Sequence, residues 1–405
     1  MMTIERLNLR GEGVAGALTV ARALPGETIE GAVLDTRIAQ PKIMTPSAQR
    51  VAAPCRHYKA CGGCALQHAS DAFVADWKTG VVRQALAGQG LEAEFRPILT
   101  SPAATRRRAT LAGRRLKSSA LVGFHGRASE TVTAIPGCTL LDPALIAAIP
   151  ALEALVAEGG SRKGEMRLTV TRYAEGVEVA VEEGKPLDTT LRSALPQIAG
   201  AHRLLRLVWN GEVLLQEAPP LLALGRARVS PPPGAFLQAT PQGEAALTAA
   251  VIEAVGEARQ VADLFAGCGT FALPLAETAE VLAVEGAGPL LAALDLGWRN
   301  APGLKRVTTE TRDLFRRPLL PDELARFDAV VIDPPRAGAE AQVAELARAR
   351  VPVIAHVSCN PVTFARDART LVQAGYRLDW VQPVDQFRWS AHVELAARFS
   401  HPYKG

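Results

Sequence analysis

The stretch V-A-D-L-F-A-G-C-G-T-F-A-L-P-L-A, residues 261–276, decides the fold of the second half of this chain. An apolar strand leads into a turn that contains Gly267 and Gly269, and a helical stretch begins directly after it. Glycines here let the backbone approach a ligand beyond the strand's carboxyl end, where open α/β sheets bind small molecules. The third glycine of the dinucleotide-binding fingerprint is missing, so the turn indicates a nucleotide-type site without fixing its ligand.

Apolar strands alternate with helical stretches through the rest of this half. We predict strands at 261–265, 281–285, 329–333 and 353–358, and a closing hairpin at the sheet edge near the end of the chain. This alternation is typical of a parallel, doubly wound sheet. The predicted fold class is therefore α/β, with a Rossmann-like C-terminal domain.

The front of the chain has a different pattern. Residues 1–50 are typical of a small β-barrel of about five strands, because short apolar runs are broken by glycines. Residues 71–88 have helical periodicity, and V-S-P-P-P-G at 229–234 is a stiff extended linker. We therefore predict three domains, with boundaries 1–50, 51–230 and 231–405.

Composition excludes several classes of protein. The chain has 405 residues, 48% of them hydrophobic, which is enough apolar material for sizeable cores and excludes disorder over most of its length. It has no run of about 18 or more uncharged apolar residues, and its N-terminus lacks an apolar signal segment. We therefore expect a cytoplasmic protein that does not enter a membrane.

Charge is distributed unevenly. Residues 1–142 hold 18 Lys+Arg and 11 Asp+Glu, and the remaining residues hold 27 and 30, so balances of +7 and −3 lie behind the net charge of +4. A basic front part is expected when that part meets a polyanion, although clustering on a solvated face produces the same balance.

Acidic residues follow two of the strands that lead to the glycine-turn edge. Glu285 ends one strand, where a carboxylate accepts hydrogen bonds from ribose hydroxyls, and Asp313 follows the next, where it is a candidate for contact with the base. The chain has no phosphate-binding loop of the Lys-Ser/Thr type, which argues against ATP. S-adenosylmethionine (SAM) is the better candidate, because it carries an adenosine but no phosphate.

Two further motifs reach the same edge of the predicted sheet. A-V-V-I-D-P-P-R-A-G spans 329–338, and V-I-A-H-V-S-C-N-P spans 353–361. Cys359 directly follows a buried strand and precedes Asn-Pro. Such a cysteine is often only a packing residue, but its position at the cofactor crevice favours a thiolate nucleophile.

Taken together, these motifs resemble those of the class I SAM-dependent RNA (uracil-5-)methyltransferases. Five of them occur in that family's order: F-L-Q-A-T (236–240), D-L-F-A-G-C-G-T-F (263–271), D-P-P-R-A-G (333–338), S-C-N-P-V-T-F-A-R-D (358–367) and H-V-E-L (392–395). The resemblance covers almost the whole chain. It implies an N-terminal OB-like TRAM β-barrel, a central α+β iron–sulfur domain and a C-terminal methyltransferase domain. The family often has Asn where this chain has Thr240 and Thr270.

The resemblance also implies roles for individual residues. The cofactor site would be lined by Gln238, Phe265, Gly267, Gly269, Thr270, Glu285, Asp313 and Asp333. Cys359 would attack C6 of a uracil, which makes C5 nucleophilic enough to take a methyl group. Glu394 would then remove the C5 proton, unless it is only a strand-edge carboxylate. Cys268 is interpreted as packing within the turn.

The remaining cysteines form a candidate metal site. Its members have the spacing C-x5-C-x2-C followed by a distant fourth: Cys55, Cys61, Cys64 and Cys138. Four thiolates hold either zinc or a 4Fe–4S cluster, and their number does not decide between them. The resemblance implies a 4Fe–4S cluster, for which we expect a structural role. His57 and His68 are interpreted as surface or RNA contacts.

The densest positive run lies between these cysteines. It contains Arg106, Arg107, Arg108, Arg114, Arg115 and Lys117. We favour contact with RNA phosphates, although a solvated charged strand has the same pattern. Uracil C5 and C6 cannot be approached inside a stacked helix, so the expected partner is single-stranded or unstacked RNA. Phe236 is a candidate for stacking on an extruded base.

The predicted protein is a monomeric enzyme that forms 5-methyluridine in RNA with Cys359 and Glu394. The resemblance favours 23S rRNA over tRNA, and a tRNA uracil-5-methyltransferase is the alternative. An amino-group methyltransferase is a further reading, but those enzymes typically place an aromatic residue after D-P-P, where this chain has Arg336. A non-catalytic RNA-binding protein is the alternative from another class.

Overall fold

The computed structural model describes residues 1–402, and the first 45 of these form a β-rich unit. Its strands are β1 Met2–Thr3, β2 Arg6–Leu7, β3 Gly13–Ala15, β4 Leu18–Val20, β5 Thr28–Glu30, β6 Arg37–Ile38 and β7 Lys42–Thr45. They pair as a three-stranded sheet, β1-β5-β7, and a four-stranded sheet, β2-β3-β4-β6. Ile4, Val20, Ile29 and Ile38 form a small apolar core. The β-rich start agrees with the prediction, but it has seven very short strands where about five were expected.

A helix and a short strand follow, α1 Asp71–Ala87 and β8 Leu99–Thr100. The helix begins at Ser70, whose hydroxyl accepts a hydrogen bond from the N–H of Phe73. Its buried side chains Val82 and Leu86 pack in the core of the C-terminal sheet, and β8 lies at the edge of that sheet. This part of the predicted central domain therefore packs with the C-terminal α/β unit.

The middle of the chain forms a seven-stranded sheet with helices against it. Its elements are β9 Arg108–Arg115, β10 Ala120–His125, β11 Val132–Ala134, α2 Pro143–Ala147, α3 Ile149–Gly159, β12 Glu165–Arg172, β13 Val177–Glu182, α4 Thr189–Ala201, β14 Arg206–Trp209 and β15 Glu212–Gln216. The strand order is β11-β10-β9-β12-β13-β14-β15. Trp209 is fully buried, and a Cβ at Gly159 or Gly184 would collide with its indole. The α+β character predicted for this part is therefore present.

The remaining elements build the C-terminal α/β unit. They are β16 Leu222–Leu224, β17 Ala227–Val229, α5 Pro241–Val255, β18 Gln260–Leu264, α6 Ala272–Leu275, β19 Glu280–Glu285, α7 Gly288–Arg299, β20 Val307–Thr311, α8 Pro321–Leu324, β21 Ala329–Ile332, α9 Glu340–Ala349, β22 Val353–Ser358, α10 Pro361–Gln373, β23 Arg377–Asp385 and β24 Glu394–Ser400. Apart from the β16–β17 hairpin, the strands form one sheet together with β8, in the order β20-β19-β18-β21-β22-β24-β23-β8.

This sheet is doubly wound, as predicted. Its parallel strands turn to opposite sides from β18, with β19 on one side and β21 on the other. Their carboxyl ends form one edge, and a crevice at such a reversal is where these sheets bind ligands. The four strands with predicted bounds begin and end within one residue of those bounds.

The end of the sheet differs from the prediction in one respect. The closing hairpin forms, but β24 lies between β22 and β23, and β8 occupies the edge outside β23. None of the described helices combines the length and apolar character that crossing a bilayer requires.

Candidate active site

A cavity of about 1420 Å³ lies at the carboxyl edge of the α/β sheet. Its walls contain Phe236, which was predicted to contact RNA, together with nearly all the residues predicted for cofactor binding and catalysis: Gln238, Phe265, Gly267, Thr270, Glu285, Asp313, Asp333, Cys359 and Glu394. The opposite wall comes from the front of the chain and includes Arg10, Gly63 and Phe124. Pockets for one drug-sized ligand measure about 300–1,000 Å³. This cavity therefore has room for two ligands side by side.

The glycine turn after β18 borders the cavity, and its two glycines serve different purposes. Gly267 has φ +56°, and a Cβ there would meet open space, so its backbone is bare toward a ligand. Gly269 has φ +98°, and a Cβ there would lie 2.9 Å from Leu273 and Leu294, so close packing requires this glycine. Gly269 is accordingly the one predicted cofactor residue that does not line the cavity. Phe265 also has a positive φ, 63°, and such strain clusters at functional sites.

Glu285 is held in place by the backbone. Its two carboxylate oxygens accept hydrogen bonds from the N–H of Gly267, at 3.1 Å, and of Ala287, at 3.0 Å. Asp313 similarly accepts from the N–H of Phe315 at 3.0 Å. Each carboxylate oxygen has two lone pairs, so both side chains keep free acceptor capacity at the cavity. This is the arrangement needed to receive ribose hydroxyls and the donor groups of a base.

Two carboxyl groups at the cofactor wall have raised pKa values: Asp333, which lines the cavity, and Asp263, which is buried and does not line it. Asp263 is fully buried, and neither of its carboxyl oxygens has a hydrogen-bond partner among the described residues. Burial, and then the neighbouring Asp333, raises the pKa of Asp263 well above its usual range. Burial also raises the pKa of Asp333 to about 7. A cationic ligand would favour the ionised forms of both groups. Asp263 is the first residue of the D-L-F-A-G-C-G-T-F motif, but it was not predicted as a site residue.

Cys359 lies at the end of β22, where its half-buried thiol lines the cavity. Burial raises the pKa of this thiol, and the nearby carboxyl groups of Glu394 and Asp333 raise it further, while Arg336 lowers it. The net direction is upward, so the side chain is a neutral thiol at neutral pH in the ligand-free protein. Its position suits a nucleophile, but the thiolate needs a proton acceptor or a bound cation.

Glu394, the first residue of β24, is buried at the same cavity. Burial, and then Asp333, raises the pKa of Glu394 to about 8. The amide nitrogen of Gln386 donates hydrogen bonds to Glu394 Oε2 at 2.5 Å and to Gln238 Oε1 at 2.6 Å. Gln386 Oε1 accepts from the N–H of Ala239 at 2.7 Å. A single side chain thus joins a predicted cofactor residue to the predicted base.

Gln386 was not among the residues predicted from the sequence. Its position in the sequence could have indicated a site residue, because Gln386 lies in the D-Q-F-R-W turn, immediately after β23 and eight residues before Glu394. That position brings a buried amide to the sheet edge that carries the other site residues.

The loop between β23 and β24 is held by residues from the front of the chain. Lys78 of α1 is fully buried and forms an ion pair with Asp385 at 2.6 Å. The N–H groups of Ala65 and Leu66 donate to the carbonyl of Trp389 at 2.7 and 2.9 Å. The segment that leads to the predicted base is therefore anchored outside the α/β unit.

The four candidate metal ligands lie near one another. Cys55 and Cys64 are buried in one apolar cluster with Trp389, and Cys138 packs against it. Burial raises the pKa of Cys64 to about 12, and the thiols of Cys138, Cys61 and Cys55 contribute to the rise. Four unpaired thiols are the donor set of a 4Fe–4S cluster. Within residues 1–402, however, no three His, Cys, Asp or Glu side chains are arranged to hold a metal ion.

The two nearby histidines have different surroundings. His57 is half-buried, with Nε2 2.8 Å from the carbonyl of Pro136. His68 is buried, with Nδ1 2.6 Å from the Tyr58 hydroxyl, and burial lowers the pKa of His68 to about 3. The interpretation of His68 as a surface or RNA contact is therefore wrong, because its ring is a neutral part of the interior.

The first half of the basic run is directed inward. Arg107 is 7% exposed, pairs with Glu244 at 2.6 Å and donates to the carbonyl of Gln238 at 3.0 Å. Its prediction as a phosphate contact is not supported, because this guanidinium supports the cofactor wall instead. The Arg108 guanidinium lies 5.8 Å from the centre of the Phe236 ring.

The other members of the run have separate surroundings. Arg106 lines the cavity, Arg114 pairs with Glu165 at 2.8 Å, and Lys117 is exposed. Arg115 donates to two backbone carbonyls near the end of α3. The run is thus dispersed in space and does not form one continuous basic patch.

Comparisons with known proteins indicate the family of this chain. The family described as tRNA (Uracil-5-)-methyltransferase matches residues 232–400. An uncharacterized RNA methyltransferase from Rhizobium meliloti is 44% identical over 98% of both chains. The 23S rRNA (uracil(1939)-C(5))-methyltransferase RlmD of Halomonas elongata is 33% identical, covering 99% of this chain and 89% of its own.

A solved structure has the same fold. The crystal structure of Pyrococcus abyssi tRNA (uracil-54, C5)-methyltransferase in complex with S-adenosyl-L-homocysteine is 24% identical in sequence, covers 98% of both chains and superposes with a TM-score of 0.77. The likeness therefore extends beyond the α/β unit to the whole chain.

The chain belongs to the RNA (uracil-5-)methyltransferase family. It is accordingly a SAM-dependent enzyme that methylates uracil C5 in RNA, and the family, the enzyme class and SAM as cofactor, all predicted from the sequence, are confirmed.

Proposed function

We propose that this enzyme forms 5-methyluridine in 23S rRNA through a covalent bond between Cys359 and uracil C6. One observation carries the mechanism: Cys359 and Glu394 line the same cavity as the residues assigned to the cofactor. A nucleophile, a base and a cofactor site in one cavity are the parts that methylation of a poor carbon nucleophile requires.

The first step is the addition of the Cys359 sulfur to C6. The Cys359 thiol loses its proton to solvent, the S–C6 bond forms, and the electrons of the C5=C6 double bond move toward the C4 carbonyl. Bound SAM supplies the methyl group that C5 then takes. Arg336 favours the thiolate, because its charge lowers the pKa of Cys359.

Glu394 completes the reaction. Its carboxylate removes the proton from C5, the C5=C6 double bond forms again, and the S–C6 bond breaks to release Cys359. A pKa of about 8 suits this role, because a base is most effective when its pKa lies near the working pH. Gln386 holds the carboxylate by a hydrogen bond, so the proton acceptor has a fixed position.

The choice of RNA is the finer part of the proposal. The relative that is 33% identical over 99% of this chain is named for 23S rRNA, which favours that substrate. A tRNA substrate is the second candidate, because the matching family and the Pyrococcus abyssi protein are named for tRNA. The test is to map 5-methyluridine in total RNA from cells with and without this gene. Loss of a 23S rRNA site is expected, whereas loss confined to tRNA would overturn the rRNA assignment.

We also propose that Cys55, Cys61, Cys64 and Cys138 bind a structural 4Fe–4S cluster. The proposal is supported by the four thiol donors and by their position. Cys55, Cys64 and Cys138 pack with Trp389, which lies in the loop that leads to Glu394. Anaerobic purification should give a brown protein that contains iron and sulfide. A colourless protein that contains zinc would contradict the cluster.

The organisation of the chain follows from the same proposal. Residues 1–50 act as a TRAM-like barrel, 51–230 as the iron–sulfur and RNA-binding part, and 231–405 as the methyltransferase part of a cytoplasmic monomer. Arg106 and Phe236 are the RNA contacts best supported by position, because both line the cavity.

A further inference from the structure

We propose that a second cavity, on the other side of Cys359, binds the RNA nucleotide next to the target uridine. This inference rests on the proposed function. The second cavity has a volume of about 640 Å³ and shares Arg336, Cys359 and His392 with the catalytic cavity. A strand that leaves the catalytic cavity beside the nucleophile therefore enters the second cavity directly.

Three separate parts of the chain form the walls of this cavity. Residues 6–9 belong to β2 and the turn after it, Val81 and Gln84 belong to α1, and residues 360–362 begin α10. The N-terminal unit is thus brought to the nucleophile, although it contributes no residue to the predicted chemistry. A role in holding the substrate explains that placement.

Carboxyl groups distinguish the two cavities. Within residues 1–402 the catalytic cavity is lined by six arginines, including Arg10 and Arg106, but also by five carboxyl groups: Glu12, Glu285, Asp313, Asp333 and Glu394. Among the described residues, no Asp or Glu lines the second cavity, and Arg6 and Arg336 carry positive charge there. Carboxylates suit a cationic cofactor with ribose hydroxyls, whereas a cavity without them suits a phosphodiester chain.

The second cavity also offers surfaces for a base. Leu9 is 61% exposed and Val362 is 56% exposed, and both line it. A base that has left its stack can rest its face on such apolar side chains. Asn8 uses its amide oxygen to accept from the N–H groups of Arg10 and Glu12, so its NH₂ group remains as a donor for a base edge.

The experiment uses the full-length enzyme and in vitro transcribed, unmodified RNA containing the mapped uridine. In the Gln84→Glu variant a carboxylate enters the second cavity, and in Arg6→Glu a cation there is reversed. We expect each to raise KM for RNA about tenfold, the size of one base contact, with KM for SAM unchanged. Gln197→Glu on α4 and Arg162→Glu are matched controls, because both residues are exposed and line neither cavity.

A second measurement needs no variant. Short single-stranded RNAs are made with an abasic ribose on one side or the other of the target uridine, and binding to the wild-type enzyme is measured with S-adenosyl-L-homocysteine present. We expect one of the two abasic RNAs to bind about tenfold more weakly than the intact RNA, and the other to bind as the intact RNA does.

The outcomes are decisive for this inference. Equal binding of both abasic RNAs and the intact RNA would overturn it, as would KM values for RNA that match the two controls. If the wild-type enzyme methylates neither rRNA nor tRNA, the proposed function itself has failed, which is a separate result.

Discussion

The amide nitrogen of Gln386 lies 2.5 Å from a carboxylate oxygen of Glu394 and donates a hydrogen bond to it. The same nitrogen donates to Gln238, which lines the cofactor region of the cavity. Gln386 is therefore a positioning residue: it fixes the base and the cofactor wall relative to each other without itself being assigned to the chemistry.

Replacing Gln386 with methionine keeps the size of the side chain and removes its three hydrogen bonds, to Glu394, to Gln238 and from the N–H of Ala239. A hydrogen bond to a charged group contributes about 1.5–3 kcal/mol, so we expect kcat at neutral pH to fall about 10- to 100-fold. The pH profile of kcat should also shift to higher pH. The hydrogen bond from the Gln386 amide lowers the pKa of Glu394, so its loss raises that pKa. The control is Gln382→Met, which removes a buried amide from β23, the strand that ends directly before Gln386. An unchanged pH profile would show that Gln386 has only a packing role.

Activity should rise with pH. The pKa of Glu394 is raised to about 8 and that of Cys359 is also raised, and both must lose a proton before they act. We therefore expect kcat/KM, which reports the free enzyme, to increase from pH 6 through pH 8 in a methyl-transfer assay. A profile that falls over this range would contradict the assigned base.

Replacing Glu394 with glutamine should separate the two covalent steps. The variant keeps the shape of the side chain and its contact with Gln386 but cannot take the C5 proton. We expect methylated RNA to stay bound to Cys359 as a complex that survives denaturing gels, with turnover lost. Normal multiple turnover in this variant would refute the assignment of the base.

Replacing Cys359 with alanine should abolish methyl transfer and leave cofactor binding intact. The thiol is the proposed nucleophile, and no other side chain is assigned to the bond with C6. The measurements are tritium release from RNA with 5-tritiated uridine and calorimetric titration with S-adenosyl-L-homocysteine. Retained tritium release would exclude the covalent mechanism.

The buried ion pair between Lys78 and Asp385 should be important for stability. Lys78→Met leaves the Asp385 carboxyl group buried without its partner, which typically costs about 3–5 kcal/mol. Adding Asp385→Asn should recover part of that loss in thermal unfolding. Arg192→Met, which breaks the exposed pair with Glu212, is the control and should leave thermal unfolding nearly unchanged, because solvent screens an exposed pair. Equal losses in the two single variants would contradict this account.

Residues at the carboxyl ends of buried strands could be predicted from the sequence. Glu285 and Cys359 are examples, because the apolar strand before each one fixes the sheet edge at which it emerges. The order of the motifs then identified the family, and with it Gln238 and Glu394, whose positions no periodicity would have indicated.

The burial of charged and polar side chains could not be predicted in the same way. Arg107 and His68 are residue types that usually lie at the surface, but both are buried in this structure. Arg107 forms an ion pair with Glu244, and His68 is hydrogen-bonded to Tyr58. Glu244 lies 137 residues from Arg107 along the chain. The pair joins α5, which contains Glu244, to the residue before β9, so it forms only in the packed structure and no local sequence pattern indicates it.

The N–H groups of Ala65 and Leu66, which follow Cys64, donate hydrogen bonds to the carbonyl of Trp389 in the loop between β23 and β24. Lys78 holds the start of that loop through its ion pair with Asp385. Residues 232–400 carry the family's pattern, but they do not include the residues that anchor the loop before Glu394. Transplanted alone, they would lose the anchors of the loop that ends in Glu394. The front of the chain and the loop that leads to Glu394 are therefore two parts of one structural unit.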